Sequence, residues 1–517
     1  MPSPTRRHLM LGLVCVITAG AGVVRSAEPV ERPAIPWPTA GWQESTPEQQ
    51  GMASLAVRRL VDFGAKNGMD SLLVIRHGTV VADAYYAPYR AGLKHHLYSA
   101  TKGVLGTLTG IAVQDGLLKG VTQPVVDFFP DLAIAPDDPR KKAITINHLL
   151  DMTSGLDWKE PLDGAPETLR AMRRSPHWSA FVLDRPMAQV PGAAFSYSSG
   201  NTQLLSAVLT RATGKPAADF ARERLFGPLG ITDVQWRQDP QDHSVGGYGL
   251  YLHPRDMAKI GYLYLHRGAW DGRQLLPPRW TEKVFHATVD MRMGSPSTFR
   301  YANGWWTLPQ QDVYMAVGFL QQLIMVIPRL DLVVVVTGKK PPRFGPLIDL
   351  LEAACRSEQA LPAAPGAHAD LVRRILEAAS ERTSPVEPPS ATATAVSGRA
   401  YRFERNALGL DTLVLDLNTA TPTYDMRFAA AGPTAAPVRF AGPVGLDGVF
   451  RANADASGPL LAVKASWTDA STLSMVSQWL TDGVVTTYTL RFNGSTVDIE
   501  YRDNTGTALQ LHGVAQP

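Results

Sequence analysis

The sequence predicts an α+β protein: an antiparallel sheet flanked by helices with an inserted helical region, followed by a C-terminal all-β barrel or sandwich domain. Strand patterns occur at both ends of about the first 350 residues, and helical patterns lie between them. After residue 399 short alternating strands dominate, and Asp482-Gly483 and Asn493-Gly494 are hairpin signals. Two domains of different architecture are therefore expected.

The composition indicates a folded protein, and the N-terminal sequence indicates export. The 517 residues are 45% hydrophobic and 19% charged, which is typical of globular proteins and enough for two or more domains. Arg6 and Arg7 precede an apolar run, Leu9–Val24, that is short for a membrane span and suits a twin-arginine signal peptide. We expect residues 1–27 to be the signal and the protein to be periplasmic or secreted. The alternative is an uncleaved anchor.

The charge balance bears on possible partners. Residues 1–27 contain three arginines and no acidic residue, so their removal lowers the formal net charge from +3 to zero. A neutral chain without a basic patch does not indicate nucleic-acid binding. We also expect no stable membrane span after signal removal, and the sequence does not indicate an oligomeric state.

The chain divides into segments of different composition. Residues 28–358 form the first domain, in which two strands meet at His77-Gly78 and apolar runs on either side of Pro328-Arg329 predict adjacent central strands. Residues 359–398 combine a short amphipathic helix with a linker rich in Pro, Ala, Ser and Thr. Residues 399–517 form the all-β domain.

The stretch "HLYSATKGVLG" places Ser99 and Lys102 three residues apart at the start of an apolar helix, so the two share a face. A serine hydroxyl is a weak nucleophile until a base takes its proton. Burial and the positive field of a helix N-terminus both favour the neutral amine of a lysine, which makes it a better base. The Ser99 N–H can also donate to an oxyanion. Taken alone, Ser-x-x-Lys is common by chance, and the pattern by itself favours a capping serine and a solvated lysine.

A second polar cluster, "SYSSGNTQLL", contains Tyr197 and, two residues later, Ser199, ahead of another apolar helix. A phenol beside an ammonium group can carry a proton between a nucleophile and a leaving group. The alternative for Tyr197 is an aromatic residue at the edge of the core.

Four blocks occur in a fixed order between about residues 45 and 350: "YSATKGVLGTLTGIAVQDG", "TINHLLDMTSGLDW", "PGAAFSYSSGNTQLLSAVLTRATG" and "GGYGLYLHPRDMAKIGYLYLHRG". Together they resemble the serine β-lactamase and penicillin-binding protein superfamily. Within it, they look like the class C-like branch with its esterases, D-amino-acid peptidases and 6-aminohexanoate-dimer hydrolases. The resemblance is more specific than the Ser-x-x-Lys pattern alone.

The resemblance implies a β-lactamase/transpeptidase-like fold and a Ser-Lys-Tyr mechanism. Ser99 is the residue that is acylated, Lys102 activates it, and Tyr197 is the shared acid and base. Ser199 is the polar residue of the Tyr-x-Asn/Ser motif and a candidate for the substrate site. No metal or organic cofactor is implied.

One motif departs from the family pattern. Where the superfamily has Lys-Thr-Gly or His-x-Gly, the stretch "AVGFLQQLIMVIP" places Phe319, Leu320 and Gln321. We expect Leu320 to be an ordinary residue of a buried strand and Phe319 and Gln321 to face substrate. The Gln322 N–H is expected to complete the oxyanion hole with Ser99. Without a cation for a carboxylate, the motif favours an uncharged ester or amide.

These observations predict an exported serine hydrolase acting on a small-molecule ester or amide through an acyl-enzyme. The alternatives are a penicillin-binding-like cell-wall peptidase or β-lactamase, and a binding module with low turnover. A further alternative gives the main function to the β-domain, as a binder of lipid or glycan. Glu160 is expected on a surface loop, and the pair His95-His96 is too small to predict a metal site.

Overall fold

The structure is a computed structural model that describes residues 37–132, 138–161, 166–293, 298–386, 390–430, 436–453 and 460–517. All of these residues belong to one compact unit, Pro36–Pro517. The predicted signal peptide, residues 1–27, lies outside the described residues. None of the helices in the described ranges is long and apolar enough to cross a membrane.

The first part of the chain alternates short strands and helices. Its helices are α1 (Ser54–Lys66), α2 (Thr101–Gln114), α3 (Ile146–Leu150), α4 (Glu167–Arg174), α5 (Trp178–Asp184), α6 (Ser199–Thr213), α7 (Ala217–Ala221), α8 (Pro254–Leu265), α9 (Pro278–Phe285) and α10 (Phe344–Ala354). Its strands are β1 (Gln43–Glu44), β2 (Met69–Arg76), β3 (Thr79–Tyr85), β4 (His95–His96), β5 (Gln235–Trp236), β6 (Leu250–Leu252), β7 (Ala269–Trp270), β8 (Arg273–Gln274), β9 (Val289–Asp290), β10 (Arg300–Ala302), β11 (Trp305–Leu308), β12 (Val313–Gly318), β13 (Gln322–Ile327) and β14 (Leu332–Gly338).

The main sheet of this part runs in the order β1-β3-β2-β14-β13-β12-β11-β10-β9, and only the β1–β3 pair is parallel. Strand β2 from the start of the domain pairs with β14 from its end, with Val74 opposite Val334. Residues His77 and Gly78, both at positive φ, form the turn between β2 and β3. The predicted sheet, assembled from the two ends of the domain, is therefore confirmed.

Helices cover both faces of this sheet. Along β13, Leu323 and Met325 pack into the apolar cluster of α1 and α10, while Ile324 and Val326 pack into the cluster that contains α2 and α8. Both faces of a strand of this kind must be apolar, which is why its sequence is a continuous hydrophobic run. The α2 helix is thereby fixed against the sheet, with the Ser99 end beside β12 and β13.

The last part of the chain begins with helices α11 (Pro365–Ala378) and α12 (Ala391–Val396). It continues with the strands β15 (Ala400–Phe403), β16 (Leu410–Asp416), β17 (Thr423–Phe428), β18 (Val438–Pro443), β19 (Arg451–Ala452), β20 (Leu461–Trp467), β21 (Thr472–Trp479), β22 (Val484–Asn493), β23 (Thr496–Asp503) and β24 (Ala508–Ala515). The predicted amphipathic helix corresponds to α11, which packs on α1 and is tied to it by Arg58 and Asp370.

These strands form an antiparallel sheet in the order β18-β17-β16-β15-β24-β23-β22-β21-β20-β19. Its end strands β18 and β19 lie next to each other, so the sheet is a nearly closed barrel. Buried side chains such as Tyr401, Val463 and Leu490 fill its interior. The all-β prediction is confirmed, and of its two forms the barrel is correct.

The barrel contacts the first domain at a buried carboxylate. Asp70 on β2 is fully buried and lies 2.6 Å from Lys339 Nζ and 3.3 Å from His95 Nε2. Its Oδ1 also accepts a hydrogen bond from Gln478 Nε2 on β21 of the barrel (3.1 Å). Burial raises the pKa of Asp70, but Lys339 and His95 outweigh burial and lower that pKa below its ordinary value. A hydrogen bond from a neutral barrel amide to a buried, ion-paired carboxylate of the first domain therefore links the two domains.

Substitution of Gly106 on α2 tests the close contact between this helix and the turn that joins β10 and β11. A Cβ at Gly106 would lie 2.1 Å from the Asn303 carbonyl oxygen, whereas a Cβ at the helical Gly366 of α11 would meet nothing within 4 Å. We expect Gly106→Ala to lower the free energy of unfolding by about 1–3 kcal/mol, because the backbone must shift. Gly366→Ala should leave it unchanged or raise it by up to about 1 kcal/mol. Chemical denaturation measures both, and equal stabilities of the two variants would contradict the packing.

Candidate active site

The candidate site is built around the start of α2. Ser99 lies in a 3-10 turn, Tyr98–Ala100, that leads directly into α2. Lys102 is in the first turn of the helix, and its Nζ lies 3.2 Å from Ser99 Oγ. Ser99 is partly exposed, while Lys102 is 1% exposed. The lysine is therefore buried and bonded to the serine, and the alternative of a solvated lysine does not hold.

The Lys102 amine has two further acceptors. Its Nζ lies 2.8 Å from the Gly247 carbonyl oxygen and 3.1 Å from Ser199 Oγ. The ring of Tyr197 lies beside it, with the ring centroid 4.8 Å from Nζ. Ser199 is the first residue of α6, and Tyr197 lies two residues before it. The second polar cluster of the sequence therefore meets the first. Gly247, Ser199 and Ser99 thus give the Lys102 nitrogen three hydrogen-bond partners.

Glu160 is the main functional candidate that the sequence interpretation misplaced. Expected on a surface loop, it is 9% exposed and contacts the start of α6. Its carboxylate accepts hydrogen bonds from Ser199 N (2.8 Å), Ser199 Oγ (2.7 Å) and Trp158 Nε1 (2.6 Å). A helix N-terminus favours a carboxylate, because its first N–H groups have no partner within the helix.

The Glu160 contacts also fix the orientation of Ser199. Since the Ser199 hydroxyl donates its proton to Glu160, its oxygen accepts from Lys102. Glu160, Ser199, Lys102 and Ser99 thus form one hydrogen-bonded chain. Ser199 is expected from the sequence to be a substrate-site residue. It is 2% exposed and instead lies between Lys102 and Glu160 in this series of hydrogen bonds.

Two adjacent glycines allow the close approach of Lys102 and α6. A Cβ at Gly247 would lie 2.9 Å from Ser199 Oγ, and one at Gly246 would lie 1.9 Å from the Thr202 carbonyl oxygen. In the sequence, the stretch "GGYG" contributes to the family resemblance but does not indicate a physical role for these glycines. The geometry shows that a side chain at either position would push apart the loop and helix that hold the lysine.

The altered third motif adopts a different structure from the one expected. Phe319, Leu320 and Gln321 form the turn between β12 and β13, and Leu320 (φ 59°) and Gln321 (φ 76°) are both in the left-handed region. The prediction that Leu320 belongs to a buried strand is therefore wrong, although its side chain is buried. Non-glycine residues rarely adopt this backbone conformation.

The side chains of this turn separate the candidates for substrate contact. Gln321 is 2% exposed and donates its amide to the Asn67 carbonyl oxygen (3.3 Å), which makes it a packing residue and does not favour a substrate contact. Phe319 is 51% exposed, and its ring lies 5.7 Å from that of Tyr98. The Gln322 side chain donates to the carbonyl oxygens of Phe319, Leu320 and Gly338 and so holds the turn closed. The oxyanion role of the Gln322 N–H stays a prediction.

Within the described ranges, no three His, Cys, Asp or Glu side chains are grouped so that they could hold a metal ion. His95 and His96 lie just before Ser99, and both have protein partners. His95 Nε2 lies 3.3 Å from Asp70 Oδ2, and His96 Nε2 accepts the Gly249 N–H (3.0 Å).

An α+β domain with a partly exposed serine bonded to a buried lysine in a Ser-x-x-Lys motif at a helix start, and a Tyr-x-Ser motif against it, is the arrangement typical of the class of proteins to which β-lactamases belong. The chain belongs to the Beta-lactamase family, whose model matches residues 55–354. The resemblance predicted from the four sequence blocks is confirmed.

Individual relatives are distant. The chain is 25% identical over 290 residues to the 6-aminohexanoate-dimer hydrolase of Paenarthrobacter ureafaciens, which covers 53% of this chain and 73% of that protein. It is 28% identical over 186 residues to lovastatin esterase of Penicillium rubens, covering 32% of this chain and 45% of that one. Among solved structures, a penicillin-binding protein homologue from Caulobacter crescentus has a TM-score of 0.47 at 18% identity, covering 58% and 97%.

Glu160 provides a direct test of this hydrogen-bonded chain. Glu160→Ala leaves three buried donors without an acceptor, so we expect the free energy of unfolding to fall by about 2–4 kcal/mol. The matched control is Glu223→Ala, which removes a carboxylate that is 56% exposed and pairs with Lys215 at the surface. The control should change stability by less than about 0.5 kcal/mol. Denaturation of both variants measures the difference, and similar stabilities would contradict a structural role for Glu160.

Proposed function

We propose that this protein is a serine hydrolase that cleaves an ester or amide bond through an acyl-enzyme on Ser99. The observation that carries the proposal is the 3.2 Å contact between Nζ of the buried Lys102 and Oγ of the partly exposed Ser99. Membership of the Beta-lactamase family supports hydrolase chemistry on this fold. The relatives named as 6-aminohexanoate-dimer hydrolase and lovastatin esterase support an amide or ester substrate of small size.

Hydrogen-bond directions explain how Lys102 acts as a base. A neutral amine has two N–H bonds and one lone pair. The Gly247 carbonyl accepts one N–H, and Ser199 Oγ accepts the other because its own proton is donated to Glu160. The lone pair is then left to face Ser99 Oγ. Glu160 and Ser199 therefore orient Lys102 towards the serine proton.

The reaction follows from this arrangement. Ser99 Oγ attacks the substrate carbonyl carbon while its proton passes to Lys102, and the carbonyl oxygen becomes an oxyanion. The backbone N–H groups of Ser99 and Gln322 are proposed to stabilise that oxyanion. Tyr197 then delivers a proton to the departing alcohol or amine, which leaves Ser99 acylated. Water attacks the acyl group with the same residues acting in reverse, and the acid is released.

The turn of the third motif restricts the substrate. Phe319 is exposed beside Tyr98, and the turn has no Lys, Arg or His to bind a carboxylate. We therefore propose an uncharged ester or amide with an apolar group against Phe319, in preference to a penicillin or a peptidoglycan peptide. A class C-like position within the family is part of the same proposal.

The proposal is tested by turnover and by intact-protein mass after exposure to p-nitrophenyl butyrate and, separately, to benzylpenicillin. The wild type should hydrolyse the ester and show an acyl adduct, and Ser99→Ala should show neither. Adducts with both compounds would favour the cell-wall peptidase or β-lactamase alternative. No adduct and no turnover with either compound would contradict the proposal and favour a binding module.

The role of Lys102 has its own matched pair of variants. Lys102→Met removes the base at similar side-chain length, so kcat for the ester should fall by about 10²–10⁴-fold. Lys259→Met removes another buried lysine, whose amine is bound to the Gly230 carbonyl and Asp256, and kcat should be unchanged. Steady-state kinetics measures both. Equal kcat values for the two variants would exclude Lys102 as the base.

We also propose that the protein is exported to the periplasm or secreted, on the basis of Arg6 and Arg7 ahead of the apolar run. Replacing both arginines by lysine should retain the chain in the cytoplasm of a bacterial host, because the twin-arginine route reads that pair. Cell fractionation with an antibody measures this. Unchanged export of the double variant would contradict the twin-arginine route.

A further inference from the structure

The barrel reaches the candidate active site through one hairpin turn. We call residues 480–483, between β21 and β22, the barrel turn, and residues 95–99 the nucleophile segment. The His96 N–H donates to the Thr481 carbonyl (2.7 Å), and the Tyr98 hydroxyl donates to the Asp482 carbonyl (2.9 Å). Both bonds cross from the barrel to the residues immediately before Ser99.

The Asp482 carboxylate extends this contact. Asp482 Oδ1 accepts the Tyr251 hydroxyl (3.1 Å) and lies 3.2 Å from His96 Nδ1. Because the Gly249 N–H occupies His96 Nε2, the proton of the neutral ring is on Nδ1 and faces Asp482. Burial lowers the pKa of His96, which favours this neutral ring. The His96 ring stacks between Tyr98 and Tyr251, at 3.9 and 4.6 Å between centroids.

The backbone of Tyr98 needs such support. Its φ is +45°, a left-handed conformation that is rare for a bulky residue and costs about 1–3 kcal/mol. This strained residue directly precedes Ser99. Its side chain is held by the Asp482 carbonyl, the His96 ring and the Phe319 ring.

The barrel turn also contacts the other half of the proposed oxyanion hole. A Cβ at Gly483 would lie 2.4 Å from the Gly338 carbonyl oxygen, so the turn packs closely on the end of β14. The same carbonyl accepts the Gln322 side-chain amide (2.9 Å). One turn of the barrel therefore touches the residue before Ser99 and the strand end that holds Gln322.

We propose that the barrel turn positions the nucleophile, with Asp482 as a positioning residue, so that the barrel is part of the catalytic unit. The inference rests on the proposed function of Ser99. It excludes the view of the barrel as an independent module carried by the first domain.

The test compares Asp482→Ala with Asp482→Asn in the full-length protein, using p-nitrophenyl butyrate. Displacing a nucleophile by about 1 Å costs on the order of 100-fold, so Asp482→Ala should lower kcat by about 10–100-fold with KM changed less than about threefold. Asp482→Asn should recover most of kcat, because its amide oxygen still accepts the Tyr251 hydroxyl. The matched control is Asp469→Ala in the turn between β20 and β21, where Asp469 caps only Ser471 and Thr472. That control should keep wild-type kcat.

Hydrogen–deuterium exchange gives a second readout that does not depend on turnover. Peptides covering residues 95–104 should exchange faster in Asp482→Ala than in wild type and remain unchanged in Asp469→Ala. If Asp482→Ala does not fold, Tyr98→Phe removes only the phenol bond to the barrel and should lower kcat by about 3–10-fold. Wild-type kcat and exchange in Asp482→Ala or Tyr98→Phe would overturn the inference. Absence of Ser99-dependent turnover in wild type would instead overturn the proposed function.

Discussion

The burial of the Lys102 amine is the constraint on which the rest of the site depends. A buried polar nitrogen is costly unless its hydrogen bonds are satisfied, and here Gly247, Ser199 and Ser99 provide three hydrogen-bond partners. Meeting this condition explains several otherwise separate features of the sequence. Gly247 must lack a side chain for its loop to approach Ser199. Glu160 must be buried to accept the hydrogen bond of the Ser199 hydroxyl. The same hydrogen bonds leave the lone pair of the neutral Lys102 amine directed at Ser99.

Local features of the sequence predicted much of the fold and the centre of the site. The hairpin at His77-Gly78 and the Ser99–Lys102 contact are short-range, so a pattern of turn residues or a spacing of three residues is sufficient to find them. Glu160 was missed because its partner Ser199 is 39 residues away, and no local pattern reports on such a contact. The turn at Leu320 and Gln321 was missed for a different reason. Its residues are bulky and lie in an apolar run, whereas the left-handed conformation normally selects glycine or asparagine.

The relation between the two domains was also beyond the reach of sequence patterns. Asp482-Gly483 predicts a hairpin from the sequence. The turn also contacts the nucleophile segment, which the sequence does not predict. Gly483 meets both requirements, since it adopts positive φ and leaves room for the Gly338 carbonyl. Asp482 likewise belongs to the barrel hairpin and contacts Tyr98 and Tyr251 of the first domain. Burial raises the pKa of Asp482, but the nearby His96 ring, the Thr481 hydroxyl and the charge of Arg237 outweigh burial and lower that pKa to about 2, so the carboxylate stays ionised at neutral pH.

In the proposed mechanism, Ser199 and Gly247 orient Lys102 to take the Ser99 proton. A crystal structure of the wild-type protein after reaction with a p-nitrophenyl alkylphosphonate tests this orientation of Lys102, because the product mimics the tetrahedral intermediate. We expect a phosphonyl group bonded to Ser99 Oγ, its apolar chain beside Phe319, and Lys102 Nζ still bonded to Ser199 Oγ and the Gly247 carbonyl. A phosphonyl group on another residue, or a Lys102 amine turned away from Ser99 into solvent, would contradict it.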